Sequence, residues 1–258
     1  MTAYHGGKQR LGKRIAEAIT DNVDLSKVKG YCEPFCGMLG VYRHVPTHFS
    51  EYKAGDLNLS VIKMWEAAQK GWVPPTQVNK ETFDRLKRED DSVMKGFVGH
   101  QFSFAGQFLQ GYVKRASSKA SKRVCEIGKE LKKVKFYHGR YTQFSDLEGF
   151  IIYCDPPYLG SVCTYSEKWG KESDKQFWEW CKMMARKNEV FVSGYMEPEY
   201  ANTECIFENT HVISGALVGR SGQSKKRTEK LFKVAPVCVS SGSRQSEAPR
   251  RRRCLSRP

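Results

Sequence analysis

Apolar residues recur along this chain with two periods, and the alternation between them outlines the fold. From Gln9 to Thr20, residues Leu11, Ile15, Ala18 and Ile19 fall on one side at helical spacing. Tyr31–Phe35 then reads as a first strand, Cys36–Gly40 as a turn into a helix, Tyr52–Gly55 as a second strand and Leu59–Gln69 as the helix that follows. At Gly71-Trp72-Val73-Pro74-Pro75 the pattern breaks, and residues 76–133 are polar and helix-rich around a stretch of glycines and aromatics. Alternation resumes with strands at Val134–His138 and Phe150–Cys154, a helix over Asp174–Arg186, a strand at Val190–Ser193 and two closing strands at Glu204–Ile213 and Lys226–Val234. Strands alternating with helices predict an α/β fold, doubly wound around a mostly parallel sheet. The interruption predicts an inserted helical recognition region at 76–133, with one catalytic unit made of residues 1–75 and 134–234. From Ala235 the chain turns rich in Ser, Pro and Arg with almost nothing to bury, so 235–258 reads as a disordered basic tail, able to add non-specific affinity or to serve as a nuclear address.

Charge adds a partner to this outline. A formal net charge of +15 over 258 residues, with an isoelectric point near 9.4, points to a polyanion. No apolar run reaches the length of a membrane-spanning helix, and the opening residues contain no apolar signal core. The nine cysteines are scattered without a C-x-x-C pair, which argues for reduced thiols in a cytosolic setting and against a metal site. Within the insert, Gly96–Tyr112 interleaves aromatics with glycines, a composition suited either to core packing or to a surface that unstacks bases. Directly after it, residues 111–135 hold nine Lys or Arg against two Glu. Lys114, Arg115, Lys119, Lys122 and Arg123 are the candidate phosphate contacts, with Ser117, Ser118 and Ser121 beside them.

Candidate chemistry gathers at three places. The strand Phe150–Cys154 runs straight into Asp155-Pro156-Pro157-Tyr158. An amine conjugated to an aromatic ring is a poor nucleophile, and activating it requires acceptors for both of its N–H groups. Asp155 supplies one acceptor and the Pro156 carbonyl another, on a backbone whose φ is fixed and whose donors are removed by Pro156 and Pro157. Tyr158 offers a ring for stacking. Preorganised acceptors matter more here than proton abstraction, because a carboxylate cannot deprotonate a neutral aryl amine outright. The bland alternative is a buried strand stopped by prolines. The other two places are Gly37, after the first strand, and Asp56, nineteen residues later after the second. In doubly wound sheets such a glycine lets backbone approach a nucleoside ligand and such an acid meets the ribose hydroxyls. A helix-entry turn and a helix cap are the competing readings of these two residues.

Six segments fall in an order that resembles the Dam-like adenine-N6 DNA methyltransferases of the D12 class. They are Tyr4-His5-Gly6-Gly7-Lys8, Glu33-Pro34-Phe35-Cys36-Gly37, Asp56-Leu57-Asn58, Asp155-Pro156-Pro157-Tyr158, and the closing strands around Phe191–Tyr195 and Arg227–Phe232. The similarity spans roughly residues 4–233 and is closest to the compact enzymes of bacteriophages and large viruses. It implies a Rossmann-like class I methyltransferase fold, S-adenosylmethionine as cofactor, double-stranded DNA as partner and transfer of a methyl group to a flipped adenine. It further implies that Tyr4, Lys8, Glu33, Phe35, Gly37, Asp56 and Asp155 hold the cofactor and that Asp155 to Tyr158 hold the base. Asp at the head of the tetrad favours adenine over cytosine N4. The chain departs from the family at Gly37-Met38-Leu39-Gly40, where the second glycine of F-x-G-x-G comes one position late, and at Gly139-Arg140-Tyr141, where an acid often stands. These departures leave room for a catalytically silent DNA-binding module on the same scaffold, and RNA adenine remains an alternative substrate.

Overall fold

A computed structural model describes residues 6–46, 48–159, 169–213 and 225–236. Its seven strands are β1 (Gly30–Glu33), β2 (Glu51–Asp56), β3 (Val134–His138), β4 (Phe150–Cys154), β5 (Glu189–Gly194), β6 (Thr203–Ile213) and β7 (Lys225–Val234). They form one sheet in the order β3-β2-β1-β4-β5-β7-β6. β1 to β5 run parallel, while β7 lies antiparallel to both β5 and β6. The parallel strands are covered on both faces, and β4 is accordingly apolar and buried at each position. Its period of two divides the core: Ile151 and Tyr153 join an apolar cluster on one face, Phe150, Ile152 and Cys154 a second cluster on the other.

The helices are α1 (Gly12–Thr20), α2 (Leu59–Gln69), α3 (Lys80–Arg88), α4 (Val93–Gln101), α5 (Ser118–Glu130) and α6 (Lys171–Met184). α2 begins where the Asn58 side chain accepts from the amides of Ser60 and Val61, an N-cap that places Val61, Ile62, Met64, Trp65 and Ala68 inward. It stops at Gly71, whose φ of +91° a side chain would resist. On the opposite face, α6 buries Phe177, Trp178, Trp180, Cys181 and Met184.

Helices from the interrupting segment pack directly on α2. A Cβ at Gly96 would stand 2.1 Å from the Ser60 carbonyl oxygen, and one at Gly128 would stand 2.4 Å from that of Ala68, so both glycines permit backbone contact that alanine would block. Phe83, Phe97, Phe102, Val124 and Ile127 thereby enter the same cluster as Val61 and Trp65.

One expected element is replaced. Among the described residues no α-helix follows Cys36–Gly40; they form tight turns and a 3₁₀ turn at Tyr42–His44 before β2. Apolar residues are dense here because Met38, Leu39, Val41 and Val45 are all core residues, and they reach the core from a loop. The expected strand and helix bounds elsewhere differ from the observed ones by a few residues at most, with α1 opening at Gly12 because the three residues before it form a turn. Of the expected tail, 237–258 lie outside the described residues.

Candidate active site

The strand order reverses between β1 and β4, which are neighbours in the sheet although far apart in sequence. Ligands of open α/β sheets bind at the carboxyl ends of strands at such a switch point. A cavity of about 450 Å³ lies there, walled by the loops after β1 to β5, by Gly6–Gln9 and by Trp169, Ser173 and Gln176 at the start of α6. Among the residues singled out from sequence, Lys8, Glu33, Phe35, Gly37, Asp56, Asp155, Pro156, Pro157 and Tyr158 all line it. Tyr4 lies outside the described residues.

At one end of the cavity Asp56 ties two loops together. Its Oδ2 accepts from the Gly37 amide at 2.9 Å and its Oδ1 from the Asn58 amide at 2.8 Å. Helix capping, the competing reading of Asp56, belongs instead to Asn58. Burial pushes the Asp56 carboxyl up, and the amides of Asn58 and Gly37 pull against it. Each carboxylate oxygen keeps a further lone pair for a ligand hydroxyl. The glycine that comes late in sequence has a structural account. Position 39, where F-x-G-x-G would place its second glycine, holds Leu39 at φ +50°, with Gly37 at +43°, so the left-handed turn survives without glycine. Gly40 serves a different need: a Cβ on it would come within 3.0 Å of the Lys8 backbone. Beside this loop Phe35 stacks on Tyr141 with centroids 5.6 Å apart and meets Trp169 edge-on, and both Arg140 and Tyr141 line the cavity.

Glu33, at the end of β1, is 2% exposed. It accepts from the Tyr31 hydroxyl at 2.8 Å, and burial, with the charge of Asp155 added, pushes its carboxyl up to about 8. At neutral pH it is therefore largely protonated and adds little charge to the cavity.

The remaining end is a cluster of charges. Lys8 Nζ lies 2.7 Å from Asp155 Oδ1 and 3.5 Å from Glu229 Oε1, and the lysine is 6% exposed. Burial alone lowers the Lys8 pKa, but Asp155 and Glu229 more than offset it, so the ammonium is held charged. The Tyr158 hydroxyl donates to Glu229 Oε1 at 2.6 Å and lies 3.0 Å from Asp155 Oδ1. Its ring carries Lys8 Nζ at 5.0 Å from the centroid and meets the edge of Tyr195 at 4.3 Å. Arg227 in turn covers Tyr195 at 4.7 Å. Lys8 and Arg227 stand here against the carboxylates of Asp155 and Glu229, so the charges at this end of the cavity are balanced.

Glu229, Tyr195 and Arg227 were not among the residues singled out for chemistry. Glu229 carried a signal in the period of two, which sets it on the same face of β7 as buried Leu231, where an acid is out of place. His100 also lines the cavity, buried, with Nδ1 3.0 Å from the Gly106 carbonyl; burial lowers its pKa to about 4, so it is neutral at physiological pH.

The candidate phosphate contacts are divided. Lys114, Arg115, Lys119 and Lys122 are exposed, whereas Arg123 is half-buried and 3.5 Å from Glu126. Arg115 donates to the Ser103 carbonyl at 3.1 Å, at the base of the loop whose Gly106 lines the cavity. Ser117 and Ser121 are buried, their hydroxyls donating to the carbonyls of Pro75 and Pro74 at 3.0 Å and 2.7 Å. Those two serines seat α5 on the loop that follows α2 and do not present themselves to a polyanion. Lys132 and Lys133 immediately precede β3, at the edge of the parallel sheet opposite the cavity. Of the aromatics in the insert, Phe97 and Phe102 are buried and Phe104 is 56% exposed.

We expect Asp56→Ala to weaken cofactor binding by roughly 1.5–3 kcal/mol, the range for hydrogen bonds to a charged partner. The loss combines missing acceptors with a released Gly37 amide. Titration calorimetry on protein shown to be folded by circular dichroism checks this, and an unaltered dissociation constant would reduce Asp56 to a loop tie.

Comparison with known proteins places these features. Residues 4–100 match the family described as D12 class N6 adenine-specific DNA methyltransferase. Among solved structures, the chain is similar to the SAM dependent methyltransferase from Agrobacterium tumefaciens, with a TM-score of 0.41 and 11% identity over 89% of this chain and 62% of that one. It is also similar to the rRNA methyltransferase aviRa from Streptomyces viridochromogenes, with a TM-score of 0.39 and 10% identity over 90% of this chain and 86% of that one. The cavity suits S-adenosylmethionine by the chemistry of its walls: aromatic rings at Phe35 and Tyr141 for the base and acceptor oxygens on Asp56 for ribose hydroxyls. With the D12 class N6 adenine-specific DNA methyltransferase domain detected over residues 4–100, on a doubly wound, mostly parallel sheet, this chain is an S-adenosylmethionine-dependent methyltransferase.

Proposed function

We propose that this methyltransferase acts on the exocyclic N6 of adenine in double-stranded DNA, with the target base turned out of the stack into the cavity. The observation that carries the reading is Asp155-Pro156-Pro157-Tyr158 at the end of β4, at the switch point and on the cavity wall. Asp155 accepts one N–H of the amine and the Pro156 carbonyl the other, which loosens the conjugation of nitrogen with the ring as attack begins. Tyr158 offers its ring to the base. When bound, S-adenosylmethionine supplies an electrophilic methyl group; Glu33, Phe35, Gly37 and Asp56 would hold it, with Lys8 of the opening loop closing over it. As the new N–C bond forms and the donor's S–C bond breaks to leave a neutral thioether, the surplus amine proton passes to Asp155.

Base flipping also needs a hold on the duplex. Residues 76–133 are the recognition region in this reading, with Lys114, Arg115, Lys119, Lys122 and Arg123 on phosphates. If Lys119, Lys122 and Arg123 are phosphate contacts, replacing all three with Ala weakens every duplex alike and reduces the salt slope of log K by roughly 2–3 units. Binding across several salt concentrations on cognate and scrambled duplexes checks this; a loss confined to the cognate duplex would make them base readers instead.

The reading as a whole is tested by offering labelled cofactor with DNA duplexes and RNA of matched sequence in separate reactions. Label in DNA supports it. Label in RNA alone would move the substrate class, and label in neither would favour a silent DNA-binding module.

A further inference from the structure

Glu229 is a carboxylate with no part in the chemistry described above, yet it is 4% exposed and lies on the cavity side of β7. From the opening loop Lys8 faces it at 3.5 Å; after β4, Tyr158 donates to it at 2.6 Å; Asp155, Tyr153 and Tyr195 face it from β4 and β5, and Arg227 stands two residues before it. The arrangement poses a conflict for adenine. Lys8 Nζ is bonded to Asp155 Oδ1 at 2.7 Å and covers a face of the Tyr158 ring, and these are the two groups the base is to engage.

We propose that Glu229 is a positioning residue for methyl transfer: it receives the Lys8 ammonium when adenine takes Asp155, and it holds the Tyr158 ring by its hydroxyl. The inference rests on the proposed role of Asp155. The shift required of Nζ is small, since both carboxylates are already within 4 Å of it. The charge never has to leave the ion pair, which in a buried site would be costly. A phenol has one proton to donate, and the shorter of its two contacts goes to Glu229, so Asp155 is not tied to Tyr158 when the amine arrives. Burial and the charge of Asp155 raise the Glu229 pKa against the pull of Lys8, so acid neutralises Glu229 and withdraws the alternative anchor.

Three variants of the full-length chain carry the test. Glu229→Gln keeps shape and hydrogen bonding but cannot host the cation, and a misplaced reacting group costs on the order of 10²-fold in rate. We expect kcat to fall by that order, with the dissociation constant for S-adenosylmethionine unchanged. In the wild type kcat declines on the acid side through an ionisation that Glu229→Gln removes and Glu229→Asp restores. Wild-type kcat and an unaltered pH profile in Glu229→Gln overturn the proposal, as does a parallel loss of cofactor affinity, which would place Glu229 in the cofactor site. A second readout does not depend on turnover: NMR titration of the Lys8 amine, assigned by comparison with Lys8→Met, is expected to show a lower pKa in Glu229→Gln than in wild type, and an unchanged value overturns the proposal. Should the wild type methylate neither DNA nor RNA, the proposed function fails, and the Lys8 titration alone decides whether Glu229 anchors the lysine.

Discussion

Asp155→Ala is expected to remove methyl transfer while leaving DNA binding of the folded protein largely intact. Its carboxylate is asked to do more for the transition state than for bound adenine, because charge grows on the amine nitrogen only as the methyl group arrives. Loss of one such preorganised acceptor costs roughly 10²–10³-fold in rate. Fold should be kept, since Asp155 is 20% exposed and follows β4, whose pairing with β1 and β5 does not involve its side chain. Single-turnover kinetics isolates the step. Near-normal rates would show that the Pro156 carbonyl suffices and that the role given to Asp155 is wrong.

The second large effect is on stability. Lys8→Met is expected to destabilise the fold on the order of 3 kcal/mol, because it leaves Asp155 and Glu229 as neighbouring carboxylates without their shared cation. The sign with pH follows from the raised pKa of Glu229, which burial causes, Asp155 adds to and Lys8 restrains. Without Lys8, Glu229 binds a proton more tightly in the folded than in the unfolded state. A carboxyl whose folded pKa is raised loses stability as pH rises through that pKa, so the deficit of the variant should be largest in mildly alkaline buffer and shrink towards acid. Urea unfolding of wild type and Lys8→Met across that range measures it. A deficit that does not change with pH would mean that the lost packing of the lysine stem, not its charge, sets the cost.

Much of this architecture was legible in the residues. β3 and β4 and the helix α2 fall at the bounds their periodicity predicts, because Val134–His138 and Phe150–Cys154 are closed by turn residues and Asn58 caps α2 before an apolar face. The cavity residues after β1, β2 and β4 were legible for a related reason: ligand loops of a doubly wound sheet follow strand ends, and strand ends are visible in sequence. What failed was local. The helix expected after the turn at Cys36–Gly40 is instead a loop, from which Val41 and Val45 reach into the core, a distinction that depends on the tertiary neighbours available to them. Ser117 and Ser121 looked solvent-facing among lysines, but the carbonyls of Pro74 and Pro75 had no other way to signal that they would accept from those hydroxyls. Glu229 was the costlier omission. Its meaning comes from Lys8 and Tyr158, both more than seventy residues away in sequence, which only the meeting of β7 with β5 brings within reach of it.

The central claim is the atom that is methylated. Duplex DNA incubated with the protein and S-adenosylmethionine carrying a labelled methyl group, then digested to nucleosides and separated by chromatography with mass detection, reads it out directly. The account predicts label in N6-methyladenine, absent when Asp155→Ala replaces the wild type. Label in N4-methylcytosine, or label undiminished by Asp155→Ala, would contradict it.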